Sequence, residues 1–221
     1  MKSEGQTFTL FHGPGSCSLA TWIALEESGL PYRIEIVDTR NGDTHAPAHL
    51  ARNPWGRVPA LDVGGTALTE NVAIQLFLAD LAPERQLLPL AGTMTRAVAT
   101  AWLCLFSSTV HIAFRPIFRV ERLASSLAGQ SDVAATGLRT LADTFEKLDA
   151  LLLDRPWVVG DRFTLCDSYL AVYVRWLDRP ALASLAGRFG NLRRHAAEVW
   201  QRPSVASIID REQSLRRGIE T

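Results

Sequence analysis

The stretch that decides the fold is Phe8-Thr9-Leu10-Phe11-His12-Gly13-Pro14-Gly15-Ser16-Cys17-Ser18-Leu19-Ala20. Phe8 to Phe11 is rich in aromatic and β-branched neighbours and reads as a short strand. Gly13-Pro14-Gly15 interrupts it with strong turn chemistry. Ser16 is a good helix N-cap, and Leu19, Ala20, Ile23, Ala24 and Leu25 recur at helical spacing until Gly29 stops them. Cys17 therefore falls in the first turn of a helix that follows a strand. Unpaired backbone N–H groups and the helix dipole favour an anion there, and a thiolate is an anion. Taken alone, the same position also suits a small residue packed at a turn.

Working outward, Tyr32 to Val37 alternates apolar and charged residues, the pattern of a half-buried strand. Its short connection to the preceding helix predicts a βαβ unit with a parallel strand pair. Thr39 to Arg52 reads as a loop with a short helix near Ala46 to Ala51. Asn53-Pro54-Trp55-Gly56-Arg57 is a turn. Val58 to Val63 and Thr66 to Leu68 form a hairpin around Gly64-Gly65. Thr69-Glu70-Asn71 opens a helix that ends before Pro83. Pro59, which has no N–H to give a ladder, predicts an edge strand, and the isomer of the Val58–Pro59 bond is open. Pro83 to Gly92 reads as a linker, and from Thr93 the pattern is helical throughout. Helices are predicted over Met94 to Phe114, with Pro116 ending or kinking the first, over Val133 to Leu153, from Thr164 to about Trp176, over Arg188 to Arg202 and over Ser204 to Gly218. Thr164 and Asp167 form a capping box with Asp in place of the usual Glu or Gln.

Composition narrows the function classes. The 221 residues suit one large or two small domains, with 47% hydrophobic and 21% charged residues, an ordinary globular mixture. Lys plus Arg and Asp plus Glu are 23 each, so no nucleic-acid surface or polybasic membrane anchor is predicted. The cysteines, at positions 17, 104 and 166, are three in number and lack metal-ligand spacing. No disulfide framework and no metal site is expected, and a reducing cytoplasm is. No secretory signal and no apolar run long enough to cross a bilayer is read in the chain.

Five motifs then occur in order: Gly15 to Ala20, Asn53 to Leu61, Leu68 to Ile74, Val110-His111 with Pro116 to Phe118, and Phe163 to Leu170. Together they resemble a bacterial glutathione transferase, most nearly the beta class, over essentially the whole chain. The resemblance implies an α/β thioredoxin-like N-terminal domain (βαβ-ββα) and an all-α C-terminal helical domain. The ranges are 1–83 for the glutathione-binding domain, 84–92 for the linker and 93–221 for the helical domain. It implies a homodimer that conjugates the glutathione thiolate to a hydrophobic electrophile, with glutathione as co-substrate and no other cofactor. Val58, before the family's cis-proline Pro59, would pair its backbone with the cysteinyl part of glutathione. Glu70 and Asn71 would grip the γ-glutamyl ammonium and carboxylate. Cys17 would lie near the glutathione sulfur, with Ser16 and Ser18 as neighbouring hydroxyls. It would either hydrogen-bond the bound thiolate or form a mixed disulfide. His111 matches the family's active-site histidine, and Ser108, one turn before it, would bind glutathione. Two departures stand out: Cys104 replaces a polar residue, and the loop from Arg40 to Asp43 lacks the lysine that beta-class members carry. The rival functions are a glutathione-dependent thiol–disulfide oxidoreductase using Cys17 and a non-catalytic binding or regulatory protein of the same fold.

Overall fold

Four strands form one mixed sheet in the order β2-β1-β3-β4 in the computed structural model, which describes residues 7–220 and side chains through residue 215. Residues 1–6 and 221, which the expected domain ranges include, lie outside the described residues. Strand β1 (Phe8–His12) runs parallel to β2 (Tyr32–Ile36) and antiparallel to β3 (Ala60–Val63), which pairs with β4 (Thr66–Thr69). Helix α1 (Ser18–Ser28) is the crossover between β1 and β2, α2 (Pro47–Leu50) is a single turn in the next loop, and α3 (Asn71–Leu81) follows the hairpin. Side chains alternate across a strand, so Phe8, Leu10 and His12 share a face. All three are buried, with Phe8 edge-on to Phe77 and His12 edge-on to Trp22 of α1. Phe11 points the other way and packs with Val37, Ala60 and Val58.

Two sequence expectations change here. The strand after Pro59 is not an edge: β3 pairs on both sides. Pro59 is tolerated because the ladder starts one residue later, at Ala60. The Val58–Pro59 bond is cis. Ser16 does not occupy the cap position of α1. Cys17 does, with no side-chain cap bond, and Ser16 Oγ accepts the N–H of Ser18 instead.

The helical part begins with α4, a 25-residue helix over Met94–Phe118. It is α-helical to Leu105, widens to a π-turn over Phe106–Val110, and resumes over His111–Ala113 and Arg115–Phe118, around Pro116. By length and mean hydropathy (1.6) it is long and apolar enough to cross a membrane, which corrects the expectation that no such run exists. Ala99, Leu103, Phe106, Val110, Ala113 and Phe114 on it are buried, 33% of its most apolar stretch is buried in all, and Met94, Val98, Leu105 and Ile112 are exposed. Next come α5 (Leu127–Leu151), α6 (Leu165–Trp176), α7 (Gly190–Trp200) and α8 (Pro203–Glu220). Helix α5 starts six residues ahead of the expected Val133, because Ser126 caps it by accepting the Gly129 N–H. The capping box of α6 is present as read: Asp167 accepts from the Thr164 N–H and hydroxyl, and also from the Val158 N–H and His195. The chain divides into two compact units. One takes in the chain up to Thr100 together with the segment from Trp200 onward, and the other is Ala101–Val199.

Candidate active site

In the first unit three connections bring the expected residues to one place. The β1–α1 loop supplies Cys17, the loop before β3 supplies Val58, and the β4–α3 junction supplies Glu70 and Asn71. Cys17 Sγ donates to the Val58 carbonyl at 3.7 Å. Gly13 makes that approach feasible, since a Cβ there would stand 2.6 Å from Thr39 Cγ2 and 3.1 Å from Val58 Cγ2. The Thr21 hydroxyl donates to Asn71 Oδ1 at 2.6 Å. That turns the amide N–H₂ of Asn71 toward Cys17, whose thiol it hydrogen-bonds. Glu70 is exposed at the start of α3 and holds a φ of 70°, a conformation that costs a non-glycine residue about 1–3 kcal/mol.

The electrostatics of Cys17 differ from the reading by helix dipole. Burial is the largest influence and pushes its thiol up from 9.0 to about 12. The hydrogen bond from Asn71 and a backbone hydrogen bond pull it down in part, Glu70 raises it and Arg57 lowers it. The group is a neutral thiol at physiological pH, and a neutral thiol can donate a hydrogen bond to an anion.

Three residues of this unit were not among the expected ones. His49 and Asn53, both buried, converge on the Arg57 carbonyl. His49 Nε2 donates at 2.9 Å and Asn53 Nδ2 at 2.8 Å, which fixes the segment entering Val58. Arg57 itself is exposed and is the cation that acts on Cys17. The signal was available, because Asn53 and Arg57 lie inside the motif that ends in Val58-Pro59. Around Arg40 the loop is organised by aspartates: Asp38 Oδ1 accepts the N–H groups of Arg40 and Asn41, and Asp43 Oδ2 accepts that of Asp38.

His111 and Ser108 belong to the second unit. The His111 ring packs against Tyr173 and Trp176, with centroids 5.8 and 5.4 Å away. Ser108, exposed on the π-turn, donates its hydroxyl to the Cys104 carbonyl at 2.8 Å. It lines a cavity of about 570 Å³ between α4 and α5, together with Ile112, Pro116, Val133, Thr136 and Thr140. His111 does not line that cavity, so the two residues serve different surroundings within this unit. Phe114 is core, 1% exposed, while Phe118 stacks on it. Among the described residues there is no cluster of His, Cys, Asp and Glu able to hold a metal ion.

The fold class is a thioredoxin-like sheet domain with a cysteine opening its first helix, followed by an all-helical region. Residues 15–81 match the family model of the glutathione S-transferase N-terminal domain, and residues 95–203 match that of its C-terminal domain. The glutathione S-transferase GstA of Escherichia coli O157:H7 is 37% identical over 173 residues, covering 76% of this chain and 81% of that protein. A glutathione transferase homologue from Sulfitobacter, solved with bound glutathione, superposes with a TM-score of 0.84 at 32% identity over 93% of this chain and 98% of its own. A beta-class glutathione S-transferase from Sphingomonas chungbukensis gives 0.80 at 32%, over 92% and 98%. The chain belongs to the glutathione S-transferase family and is an enzyme of that family, with bacterial relatives.

Proposed function

We propose that the protein conjugates the glutathione thiolate to a hydrophobic electrophile, with Cys17 acting as a hydrogen-bond donor and not as a nucleophile. The observation that carries this reading is the buried thiol, held at about 12 and already donating to Val58. Bound glutathione would offer a better acceptor than a carbonyl, because hydrogen bonds to an ionised group are about twice as strong. Val58, next to Pro59, supplies backbone pairing for the cysteinyl part of glutathione. Glu70 pairs with the γ-glutamyl ammonium, while Asn71 and the first N–H groups of α3 take its carboxylate. Arg57 stands in for the lysine missing from the loop after Arg40 and receives the glycyl carboxylate. In this reading His111 is a catalytic residue supplied by the second unit and Ser108 one that binds glutathione. The domain limits 1–83 and 93–221, the homodimer and the cytoplasmic location belong to the same proposal. So does glutathione as sole co-substrate, with no further cofactor. The bound glutathione of the Sulfitobacter homologue supports it.

Thiol–disulfide exchange through Cys17 is the weaker reading, since it needs a thiolate on the residue that burial keeps protonated. The test is calorimetric titration with glutathione of the wild type and of Glu70→Ala. The proposal expects saturable binding that the substitution abolishes. Absence of binding to the wild type at millimolar glutathione refutes it.

A further inference from the structure

Behind Ser16 lies a chain of polar groups to which the substrate-binding reading gives no part. Ser16 Oγ is 2.7 Å from Ser18 Oγ, and Ser18 Oγ is 2.8 Å from His12 Nδ1. His12 Nε2 has no hydrogen-bond partner and faces Glu212 Oε1 of α8 at 3.6 Å. Ser18, His12 and Glu212 are all 0% exposed, whereas Ser16 is half-buried and adjoins Cys17. A fully buried carboxylate is costly unless something answers its charge. Glu212 Oε1 accepts the Gly15 N–H at 2.7 Å, which ties α8 to the loop that carries Cys17.

Donor counting sets the direction of the chain. The carboxylate beside Nε2 favours the imidazole proton on that nitrogen, which leaves Nδ1 as an acceptor. Ser18 then donates to Nδ1 at 2.8 Å in preference to the Gly13 carbonyl, which stands farther off at 3.4 Å. Its oxygen accepts the Gly13 N–H at 3.1 Å and, from the other side, the Ser16 hydroxyl. Ser16 Oγ accepts the Ser18 N–H at 3.2 Å. With its proton committed to Ser18, half-buried Ser16 offers a ligand a lone pair and no donor. We propose that Ser16 is the acceptor for the glutathione S–H proton, and that Ser18, His12 and Glu212 are positioning residues that relay this proton inward. In the step, the thiol proton passes to Ser16 Oγ, the Ser16 proton to Ser18 Oγ and the Ser18 proton to His12 Nδ1. A thiolate is left outside and an imidazolium inside, next to the Glu212 carboxylate. After the step the Ser16 hydroxyl points outward and donates to the thiolate it has made. The proton returns by the same route when product leaves. The groups facing His12 are the Glu212 carboxylate, the Ser18 hydroxyl and the Trp22 ring, and Arg211 lies over the Trp22 ring at 5.0 Å. This is the logic of a hydroxyl activated by an oriented histidine, extended by one hydroxyl.

The inference rests on glutathione binding beside Cys17, so the test separates binding from ionisation. Wild type, Ser16→Ala, Ser16→Thr and Glu212→Gln are titrated calorimetrically with S-methylglutathione, which has no thiol proton. The ultraviolet thiolate absorbance of bound glutathione is then followed against pH. The Cys17 thiol, held at about 12, stays silent in the range scanned. The relay predicts unchanged S-methylglutathione affinity. It also predicts a titration midpoint about one pH unit higher, a roughly tenfold loss of thiolate at fixed pH, in Ser16→Ala and Glu212→Gln. Ser16→Thr, which keeps the hydroxyl, restores the wild-type midpoint. An unchanged midpoint in Ser16→Ala with binding intact overturns the relay and leaves the proposed function standing. Failure of the wild type to bind S-methylglutathione overturns the proposed function, and the relay with it. Should Glu212→Gln not fold, the Ser16 pair decides alone.

Discussion

Cys17 is the place where the transferase and exchange readings part, and its reactivity follows from the structure. Burial raises its thiol from 9.0 to about 12. At pH 7.5 an unperturbed thiol of that ordinary value is about 3% ionised, and Cys17 is ionised about a thousandfold less. Part of that deficit is recovered, because a thiolate of higher pKa is a stronger nucleophile, with a Brønsted slope of about 0.4–0.5. Three logarithmic units less about half of them leaves roughly a 30- to 60-fold slower attack on a disulfide. The side chain is also 6% exposed, so collision with a bulky reagent is rarer still. The exposed Cys104 supplies an internal reference on the same chain.

The assay is reaction of the native, reduced protein with a small aromatic disulfide, quenched at intervals, with the modified peptides separated by mass. Cys17 is expected to lag Cys104 by at least about 30-fold at pH 7.5. Its rate should go on rising about tenfold per pH unit up to pH 10, with no plateau, since its thiolate is still a minor species there. A Cys17 rate within about threefold of Cys104, or a plateau below pH 9, refutes the reasoning. It would mean that the thiol is ionised in the free enzyme, and the exchange chemistry would return as the leading function.

The same burial sets an alkaline limit. The folded protein holds the Cys17 proton to about 12 while the unfolded chain releases it near 9.0, so this contribution is complete below pH 9 and is lost as pH rises toward 12. The slope is at most about 1.4 kcal/mol per pH unit, and urea unfolding at pH 8 and 10 should show a smaller loss in Cys17→Ala than in wild type. Asp167→Ala removes the acceptor of four buried donors. It should cost about 3–5 kcal/mol, read as a lower urea midpoint at unchanged slope. Asp167→Asn, which keeps one carbonyl oxygen, should cost about half as much, and a loss under about 1 kcal/mol for Asp167→Ala would contradict the geometry. Glu70→Gly relieves the positive φ at the opening of α3 and should raise stability by about 1 kcal/mol after the entropy of glycine is deducted. Glutathione binding should vanish in the same variant, and a Glu70→Gly protein that binds glutathione normally would remove Glu70 from the site.

The parts of the fold that were legible rest on local patterns. The strand, turn and helix from Phe8 to Gly29, the hairpin around Gly64-Gly65 and the capping box of Thr164 and Asp167 are each specified within about ten residues. Strand order is not local, and that is why Pro59 misled: the strand it precedes is central, and only the pairing partners reveal it. Ser126 carries no cap signal in the sequence, because no regular apolar periodicity begins beside it. Glu212 could not have been found at all. A glutamate in a polar C-terminal helix looks like solvent-facing charge, and nothing near it announces that it is 0% exposed against a histidine two hundred positions earlier.

At Cys17 a real local effect, the helix dipole, is outweighed by a larger tertiary one. A helix N-terminus favours an anion by about 0.3–1 kcal/mol, and by about 2 at most. That is worth roughly one pKa unit. Burial at 6% exposure works against the anion, and the thiol ends up three logarithmic units high in spite of the Asn71 hydrogen bond and the Arg57 charge. Dipole and cap are readable from residue order, whereas desolvation depends on what the loop before β3 and the start of α3 lay over the sulfur. The sign of the ionisation is therefore set by tertiary packing. Beside that neutral cysteine the Ser16 hydroxyl is joined through Ser18 to the buried His12 ring, and the proposed relay gives the proton of a substrate thiol that path inward.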